Sequence, residues 1–387
     1  MKLLLILILM MFSMPAPLAG LEKEKSAGTT KTTQIIGGKL VERLETTPTT
    51  SLLPSPPGLL EQERSRPLPN SHRVQSHIKW TSTHATSIAQ DVTVNSNGGH
   101  PFIGWYLNEP RASFHNDFSS VPLWEQPADP NAYRVYVALS ADANVVASAS
   151  YRNIFLFNKD TGNITFNFLI PDGRQAGPLA VSRDGSLLVC ATISPLSGGM
   201  HRVYAFAPPS TTPVWTFDFS DAQSTGVYGI NISPDKSTVA VNGKFYGWIL
   251  NAANGTVRTE FEIANTESRI ALSRDASVMA IAELSGFVKA HVWNSSQNRY
   301  NLLWQYRIPA GTFTNWASAV DVSADGSTIM AGSLIFLSGG YDGTIYMFDT
   351  FGDGTPNWIL PNVGDEVAQV ALSDDGSFGA AVTWGDL

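Results

Sequence analysis

The chain is poor in cysteine and in charged residues. Only one cysteine, Cys190, occurs among its 387 residues, which excludes an intramolecular disulfide framework and a thiolate metal cluster. The seven histidines show no metal-ligand spacing. Charged residues make up 15% of the sequence, and residues 96–387 carry 26 acidic against 15 basic residues. An acidic body of this kind excludes nucleic-acid binding, which requires a basic surface.

Apolar runs long enough to span a membrane are also missing. The longest run, Leu3–Phe12, follows Lys2 and leads into small residues up to Gly20. A membrane span needs about twenty apolar residues, whereas a basic start, a short apolar segment and a small-residue exit are typical of a secretory signal. The sequence predicts a signal peptide over residues 1–20, no membrane insertion after its cleavage, and a secreted, periplasmic or cell-surface protein. An uncleaved membrane anchor is the alternative.

What the chain does contain is a repeat. An apolar run followed by Ser, any residue and Asp occurs six times, and its serines are Ser140, Ser182, Ser233, Ser273, Ser323 and Ser373. Successive serines lie 40 to 51 residues apart, the period of a β-propeller blade rather than of a helical solenoid. Asp-Gly at 184–185 and its equivalents predict a tight turn between two strands. We therefore assign these serines and aspartates to turn chemistry and not to catalysis.

A second hairpin follows the first in most repeats. Asn153–Phe157, for example, is followed by a Thr-Gly turn and Ile164–Phe166. Four strands per period, joined by short Gly, Asn and Asp turns, make up a propeller blade. Aromatic residues recur in the third and fourth strands, and we expect them to pack between neighbouring blades.

The two ends of the chain are predicted to share a blade. The last Ser-x-Asp copy is followed only by residues 378–387, enough for one more strand. Phe102–Tyr106 and Val121–Glu125 are predicted as the missing third and fourth strands. The sequence thus predicts an all-β propeller of six four-stranded blades over residues 96–387, and a truncated seven- or eight-bladed propeller is the alternative. Residues 21–95, rich in Thr and Pro and poor in aromatics, are predicted to be a flexible low-complexity tether or pro-region.

Two propeller families share features of this repeat. The segment Ile154–Phe166, with its Thr161-Gly162 turn, resembles the repeat of pyrroloquinoline-quinone-type (PQQ-like, quinoprotein alcohol dehydrogenase-like) propellers. The Ser-x-Asp-Gly hairpins resemble those of WD-repeat and YVTN-type propellers. The resemblance implies a propeller over about residues 100 to 387. Quinoprotein dehydrogenases use a calcium-held quinone with a catalytic Asp and an Arg, and none of these residues is matched here. Accordingly, no catalytic, cofactor-binding or metal residue is assigned.

The sequence is most consistent with a non-catalytic binding or scaffold module, monomeric and without a cofactor. We expect its ligand, a protein or glycan at the cell exterior, at a loop rim or at the mouth of the central channel. The longest inter-strand segments are the candidate binding loops: Ser194–Met200, Asn294–Asn301 and Leu334–Gly340. The alternatives are an enzyme, of the quinone-dependent dehydrogenase kind with PQQ and calcium or of another propeller type, and an assembly factor that holds partner strands at a blade edge.

Overall fold

The computed structural model describes residues 87–384 except 117–118, 172, 194–198, 221–225, 264–266, 310–314 and 338, together with the backbone of five strands within residues 7–82. All regular elements in this part of the chain are β-strands. They are β1 (Leu7–Phe12), β2 (Glu24–Ser26), β3 (Thr29–Ile36), β4 (Lys39–Thr46), β5 (Ser76–Ser82), β6 (Ile88–Thr93), β7 (Phe102–Tyr106), β8 (Arg111–Phe114), β9 (Trp124–Pro127), β10 (Val135–Leu139), β11 (Val146–Ser150), β12 (Asn153–Phe157), β13 (Ile164–Leu169), β14 (Gln175–Val181), β15 (Leu188–Ile193), β16 (Met200–Phe206), β17 (Pro213–Ser220), β18 (Gly229–Ile232), β19 (Thr238–Asn242), β20 (Tyr246–Asn251), β21 (Val257–Glu262), β22 (Ser268–Leu272), β23 (Val278–Glu283), β24 (Phe287–Asn294), β25 (Arg299–Arg307), β26 (Trp316–Val322), β27 (Thr328–Leu337), β28 (Gly340–Asp349), β29 (Pro356–Pro361), β30 (Val367–Leu372) and β31 (Phe378–Thr383).

Six four-stranded antiparallel sheets follow one another along the chain. Blade 1 is β6–β9, blade 2 is β10–β13, blade 3 is β14–β17, blade 4 is β18–β21, blade 5 is β22–β25 and blade 6 is β26–β29. The first strand of each blade contacts the first strand of the next, so these strands surround a common axis. The predicted all-β propeller of four-stranded antiparallel blades is confirmed, and strands β6–β29 form six such blades. Phe12–His77 forms a separate unit with a three-stranded sheet in the order β2-β3-β4.

The ring is completed by a further sheet, here blade 7, in the order β30-β31-β1-β5. Strand β1 pairs with β31 in the register Leu7 to Val382, and β30 contacts both blade 6 and blade 1. One blade is therefore shared between the two ends of the chain. Counting it, the ring contains seven sheets, six of which come from residues 88–361 alone.

The strands predicted for the shared blade were wrong. Phe102–Tyr106 is the second strand of blade 1, paired with β6 and β8, and Trp124–Pro127 is its fourth strand. Blade 1 begins at Ile88, so the predicted propeller boundary at residue 96 lies inside it. The physical reason is a variant turn after β6, where Asn95-Ser96-Asn97 takes the place of Ser-x-Asp. Asn97 accepts a bond from the Gly99 amide as the turn aspartates do in other blades.

The predicted turn chemistry of the repeat is present in all six copies. In each, the Ser hydroxyl donates to the Asp carboxylate over 2.6–3.2 Å. The same hydroxyl accepts a bond of 2.9–3.1 Å from the amide five residues on. The third residue after each Ser has a positive φ. Each turn is thus closed by its own side chains, as Ser and Asp turns commonly are.

Tryptophan residues in the fourth strands connect neighbouring blades. The Trp124 indole N–H donates to the Lys159 carbonyl over 2.6 Å, Trp215 donates to Ala252 over 2.8 Å, and Trp304 donates to Thr350 over 2.7 Å. Each acceptor lies in the turn between the third and fourth strands of the next blade. Each indole also packs on a glycine of that turn, at Gly162, Gly255 and Gly354 respectively. The expected aromatic packing between blades is confirmed.

The hydrophobic core lies between neighbouring blades and is formed by residues of their strands. Cys190 in β15 is fully buried among apolar residues, and burial raises the pKa of its thiol to about 12. A thiol in such a setting is inert. The third and fourth strands add interblade aromatic pairs, among them Phe219 with Trp248, at 4.6 Å between ring centroids.

Candidate functional site

The two faces of the propeller carry different connections. One face, the turn face, has the Ser-x-Asp turns and the turns between third and fourth strands. The other, the linker face, has the connections between blades and the turns between second and third strands. Because each first strand runs from the linker face to the turn face, residues that precede it line the channel on the linker side.

The Ser-x-Asp turns narrow the channel on the turn face, where a cavity of about 160 Å³ remains. Neighbouring Ser-x-Asp turns, together with the variant turn of blade 1, are joined by hydrogen bonds of 2.7–3.0 Å from the backbone amide of one middle residue to the carbonyl of the next. The donor and acceptor residues are Ala141 and Arg183, Arg274 and Ala324, Ala324 and Asp374, Asp374 and Ser96, and Ser96 and Ala141. At Pro234, which has no N–H, Asp235 donates to Arg274 instead. The Arg183 side chain of blade 3 also pairs with Asp374 of blade 7. These blades are not neighbours, so this ion pair crosses the channel.

Two aspartates fix the first strands to one another inside the ring. Asp91 in blade 1 accepts bonds from the amides of Val92 and Val137, over 3.0 and 2.8 Å. Asp321 in blade 6 accepts bonds from Val322 and Leu372, over 2.9 and 2.7 Å. Burial raises the pKa of both carboxyls to about 7. Both residues join a neighbouring blade through its backbone, which is a structural use of a buried acid.

The linker-side mouth of the channel carries opposite charges from separate blades. Arg134 precedes β10, Glu267 and Arg269 flank the start of β22, and Glu366 precedes β30. Arg134 and Arg269 both interact electrostatically with Glu267 and Glu366. Blades 2, 5 and 7 do not adjoin one another, so these charges act on one another across the channel. All four are half-buried and therefore retain contact with solvent.

Tyr136 lies two residues after Arg134 and further into the same mouth. Burial raises the pKa of its phenol, and the nearby Arg134 and Arg269 oppose that rise. The electrostatic interaction with Tyr136 raises the pKa of Arg134. Burial lowers the pKa of Arg269 and raises the pKa of Glu366. The mouth is thus a partly desolvated cluster of two guanidinium groups and two carboxylates. Such a cluster can orient a ligand that offers both charges.

A cavity of about 540 Å³ opens on the linker face between blades 1 and 2. Its wall is formed by the second connection of blade 1, the linker to blade 2, the tip of the β11–β12 hairpin and the start of blade 3. The lining residues are Tyr106, Leu107, Asn108, Pro110, Pro130, Asn131, Ala132, Tyr133, Tyr151 and Gln175. The sequence analysis did not find this site, because its residues come from four separate segments that contain no motif.

The three predicted binding loops do not share a face. Leu334–Gly340 is the end of the long β27–β28 hairpin on the linker face. Asn294–Asn301 lies on the turn face, where the Asn294 side chain accepts bonds from Ser296 and Gln297 and tightens the turn. Of Ser194–Met200, residues 194–198 lie outside the described part of the chain, and Met200 begins β16.

Histidines of the propeller are distributed among separate blades. His115 in blade 1 contacts the Ser113 hydroxyl at 3.0 Å, and His201 in blade 3 stacks on Phe219. Burial lowers the pKa of His115 and of His291 in blade 5 to about 4. Among the described residues, no group of three or more His, Cys, Asp or Glu side chains is arranged to hold a metal ion. Nor does this part of the chain contain a helix that could cross a membrane.

Comparisons with known proteins support the fold. No protein-family model matches the chain, and no curated protein matches it. Among solved structures, it is similar to the beta-propeller domain of Myceliophteria thermophila Cps50 (Swd1), with a TM-score of 0.57 and 10% sequence identity. The similarity covers 78% of this chain and 97% of that domain. The fold and its hairpin repeat define the chain as a β-propeller, and at this identity the likeness concerns the fold alone.

Proposed function

We propose that this protein is an exported, non-catalytic binding or scaffold module that holds a protein or glycan on its linker face. The observation that carries the proposal is the difference between the two faces. On the turn face, a chain of backbone hydrogen bonds and the Arg183–Asp374 pair narrow the channel to a cavity of about 160 Å³. The linker face has the charged channel mouth and the cavity between blades 1 and 2.

Two exposed tyrosines support the same face. The Tyr133 side chain, in the linker from blade 1 to blade 2, is 70% exposed, and Tyr341, on the β27–β28 hairpin, is 58% exposed. The Tyr341 ring lies 5.6 Å from the Phe336 ring, which in turn lies 5.1 Å from the Trp316 ring. Tyrosine supplies a large contact area together with a hydroxyl, which is why it is enriched where proteins bind ligands.

The test compares the two faces by site-specific photo-cross-linking in cells that produce the protein naturally. A photoreactive residue is placed at Tyr133 or Tyr341 on the linker face, or at the exposed Asn144 or Asp353 on the turn face. We expect adducts at the two linker-face positions and few at the turn-face controls. Adducts distributed equally over both faces would contradict the proposal.

A second measurement tests the enzymatic alternative. Purified protein is mixed with pyrroloquinoline quinone and calcium, and both quinone uptake and dye-linked oxidation of alcohols are followed. We expect no stoichiometric uptake. Uptake accompanied by turnover would replace the binding proposal with that of a quinone-dependent enzyme.

A further inference from the structure

The cavity between blades 1 and 2 has an uncharged wall. Three tyrosines, two prolines and three side-chain amides, those of Asn108, Asn131 and Gln175, line it together with Leu107 and Ala132. Its volume of about 540 Å³ is in the range of small-molecule sites. A charged ligand would have to leave water without a counter-charge in this wall, which is costly. A neutral ligand with polar groups fits better.

Two of the lining residues hold a conformation that their type disfavours. Leu107 has a φ of 68° and Tyr151 a φ of 49°, in the left-handed region normally occupied by Gly, Asn or Asp. Tyr151 stands at the tip of the β11–β12 hairpin, where turn chemistry favours Gly or Asn. Such strain is one mark of ligand-binding positions, and here both strained side chains line the cavity.

The hairpin tip that carries Tyr151 is anchored on the neighbouring blade. The Tyr151 carbonyl accepts a bond of 2.5 Å from the Ala176 amide of blade 3, and Arg152 donates over 2.9 Å to the Ile170 carbonyl, directly after the last strand of its own blade. On the opposite side, the lining residue Asn131 donates from its backbone and side-chain amides to Asp129, which lies outside the lining, over 2.8 and 3.0 Å. The wall is therefore fixed before a ligand arrives, which reduces the entropy lost on binding.

The geometry points to a neutral saccharide as the ligand of this cavity. Flat tyrosine rings offer apolar faces for the C–H surfaces of a pyranose, and each also carries a hydroxyl that can bond a sugar. Side-chain amides donate and accept at once, as sugar hydroxyls do. A proline-rich peptide also fits aromatic walls, but its prolines lack N–H groups and would leave amide acceptors unused. This inference rests on the proposed function, because it names the ligand class for one site on the linker face.

The test uses isothermal titration calorimetry on the purified full chain with cellohexaose, maltohexaose, mannohexaose and chitohexaose as probes. We expect at least one of them to bind with a stoichiometry of one. Tyr133→Ala should weaken that binding about tenfold, the effect of losing one stacked ring. Its unfolding midpoint should stay unchanged, because the Tyr133 side chain is 70% exposed. The matched control is Phe351→Ala, an exposed aromatic residue in the β28–β29 turn on the turn face.

A second variant removes the Tyr151 ring without adding backbone strain, so that a loss of binding can be told apart from a loss of folding. Tyr151→Asn removes the ring but suits the positive φ, so we expect lost binding with a folded, cooperative protein. The inference is overturned if none of the four hexasaccharides binds, if both tyrosine variants bind as well as the unmodified chain, or if only a polyproline peptide binds. These results would leave the face comparison by cross-linking unaffected, so the proposed function is tested separately.

Discussion

At the residue scale, the glycines beneath the interblade tryptophans combine two requirements. Gly255 has a φ of +71°, and a Cβ added to it would lie 2.6 Å from the Trp215 ring. Gly173 has the same φ of +71° but nothing within 4 Å of an added Cβ. The pair therefore separates backbone strain from interblade packing.

We expect Gly255→Ala to lower the free energy of unfolding by about 2–4 kcal/mol, the sum of left-handed strain and overpacking. Gly173→Ala should cost only about 1 kcal/mol, since strain alone applies. Urea unfolding followed by tryptophan fluorescence measures both values. Equal losses in the two variants would show that the Trp215 contact does not constrain Gly255.

The Asp91 carboxyl gives the fold a dependence on pH. Burial raises its pKa from 3.8 to about 7, although the Val137 amide and Arg269 oppose the shift. Because the folded state holds the proton more tightly than the unfolded state, this contribution to stability is full below about pH 4 and is lost as pH rises through about 7. The loss is at most about 4 kcal/mol per group.

Asp91→Asn should reduce this decline, and unfolding midpoints measured from pH 4 to 8 would show it. The variant should also be less stable at pH 5, because one Asn oxygen cannot accept from both Val92 and Val137. The turn residue Asp375 is the control: hydrogen bonds from Ser377 and Ser373 outweigh partial burial and lower its pKa, so Asp375→Asn should alter only the acid side. An unchanged slope in the Asp91 variant would contradict the assignment.

At the scale of the element, the Ser-x-Asp hairpin depends on one hydroxyl. Ser323 is fully buried and connects the Asp325 carboxylate, at 2.6 Å, to the Thr328 amide, at 3.0 Å. Ser323→Ala leaves both groups without this partner, and we expect a loss of about 1–3 kcal/mol in the free energy of unfolding. Ser327→Ala removes a hydroxyl that bonds the same carboxylate from the surface, so its loss should be smaller. Similar losses would mean that burial of Ser323 adds nothing.

These hairpins also explain how much of the fold can be predicted from the sequence. Ser-x-Asp copies are visible because the turn is closed locally, by side chains two and five residues apart. The turn after β6 uses Asn95 and Asn97 and is one residue shorter, with Asn95 donating to the Gly99 carbonyl. A search for Ser and Asp misses it, although Asn closes turns by the same chemistry. That omission led to the wrong strands for the shared blade.

The candidate site is less predictable because no local pattern encodes it. Arg134, Glu267 and Glu366 are far apart in sequence and meet only because each stands at the start of a first strand. The cavity likewise combines four segments from three blades. Loop length was the only cue to a binding site in the sequence, and one of the loops that it indicated, Asn294–Asn301, lies on the turn face. Pairing of strands over long distances decides these positions, and composition does not carry that information.

At the scale of the whole molecule, the closure of the ring depends on two different contacts. The Asp374 amide donates to the Ser96 carbonyl over 2.8 Å and joins blade 7 to blade 1 through their first turns. The second contact lies within blade 7, where β1 pairs with β31 over Leu7 to Met11. The same run lies in the predicted signal peptide, so cleavage after residue 20 would remove this strand from blade 7. The two roles of Leu7–Met11 exclude each other in one molecule.

A comparison of the full chain with a chain lacking residues 1–20 tests this closure. We expect the shortened chain to fold, since the Asp374–Ser96 contact and six complete blades do not need β1. Its β31 amides, over Phe378–Thr383, should exchange with deuterium faster by about tenfold or more, because an edge strand exposes its backbone. Exchange at the Ser323 turn of blade 6 should be unchanged and provides the internal control. Equal protection of β31 in both chains would mean that Leu7–Met11 does not cover this edge, and that export can remove it without loss to the propeller.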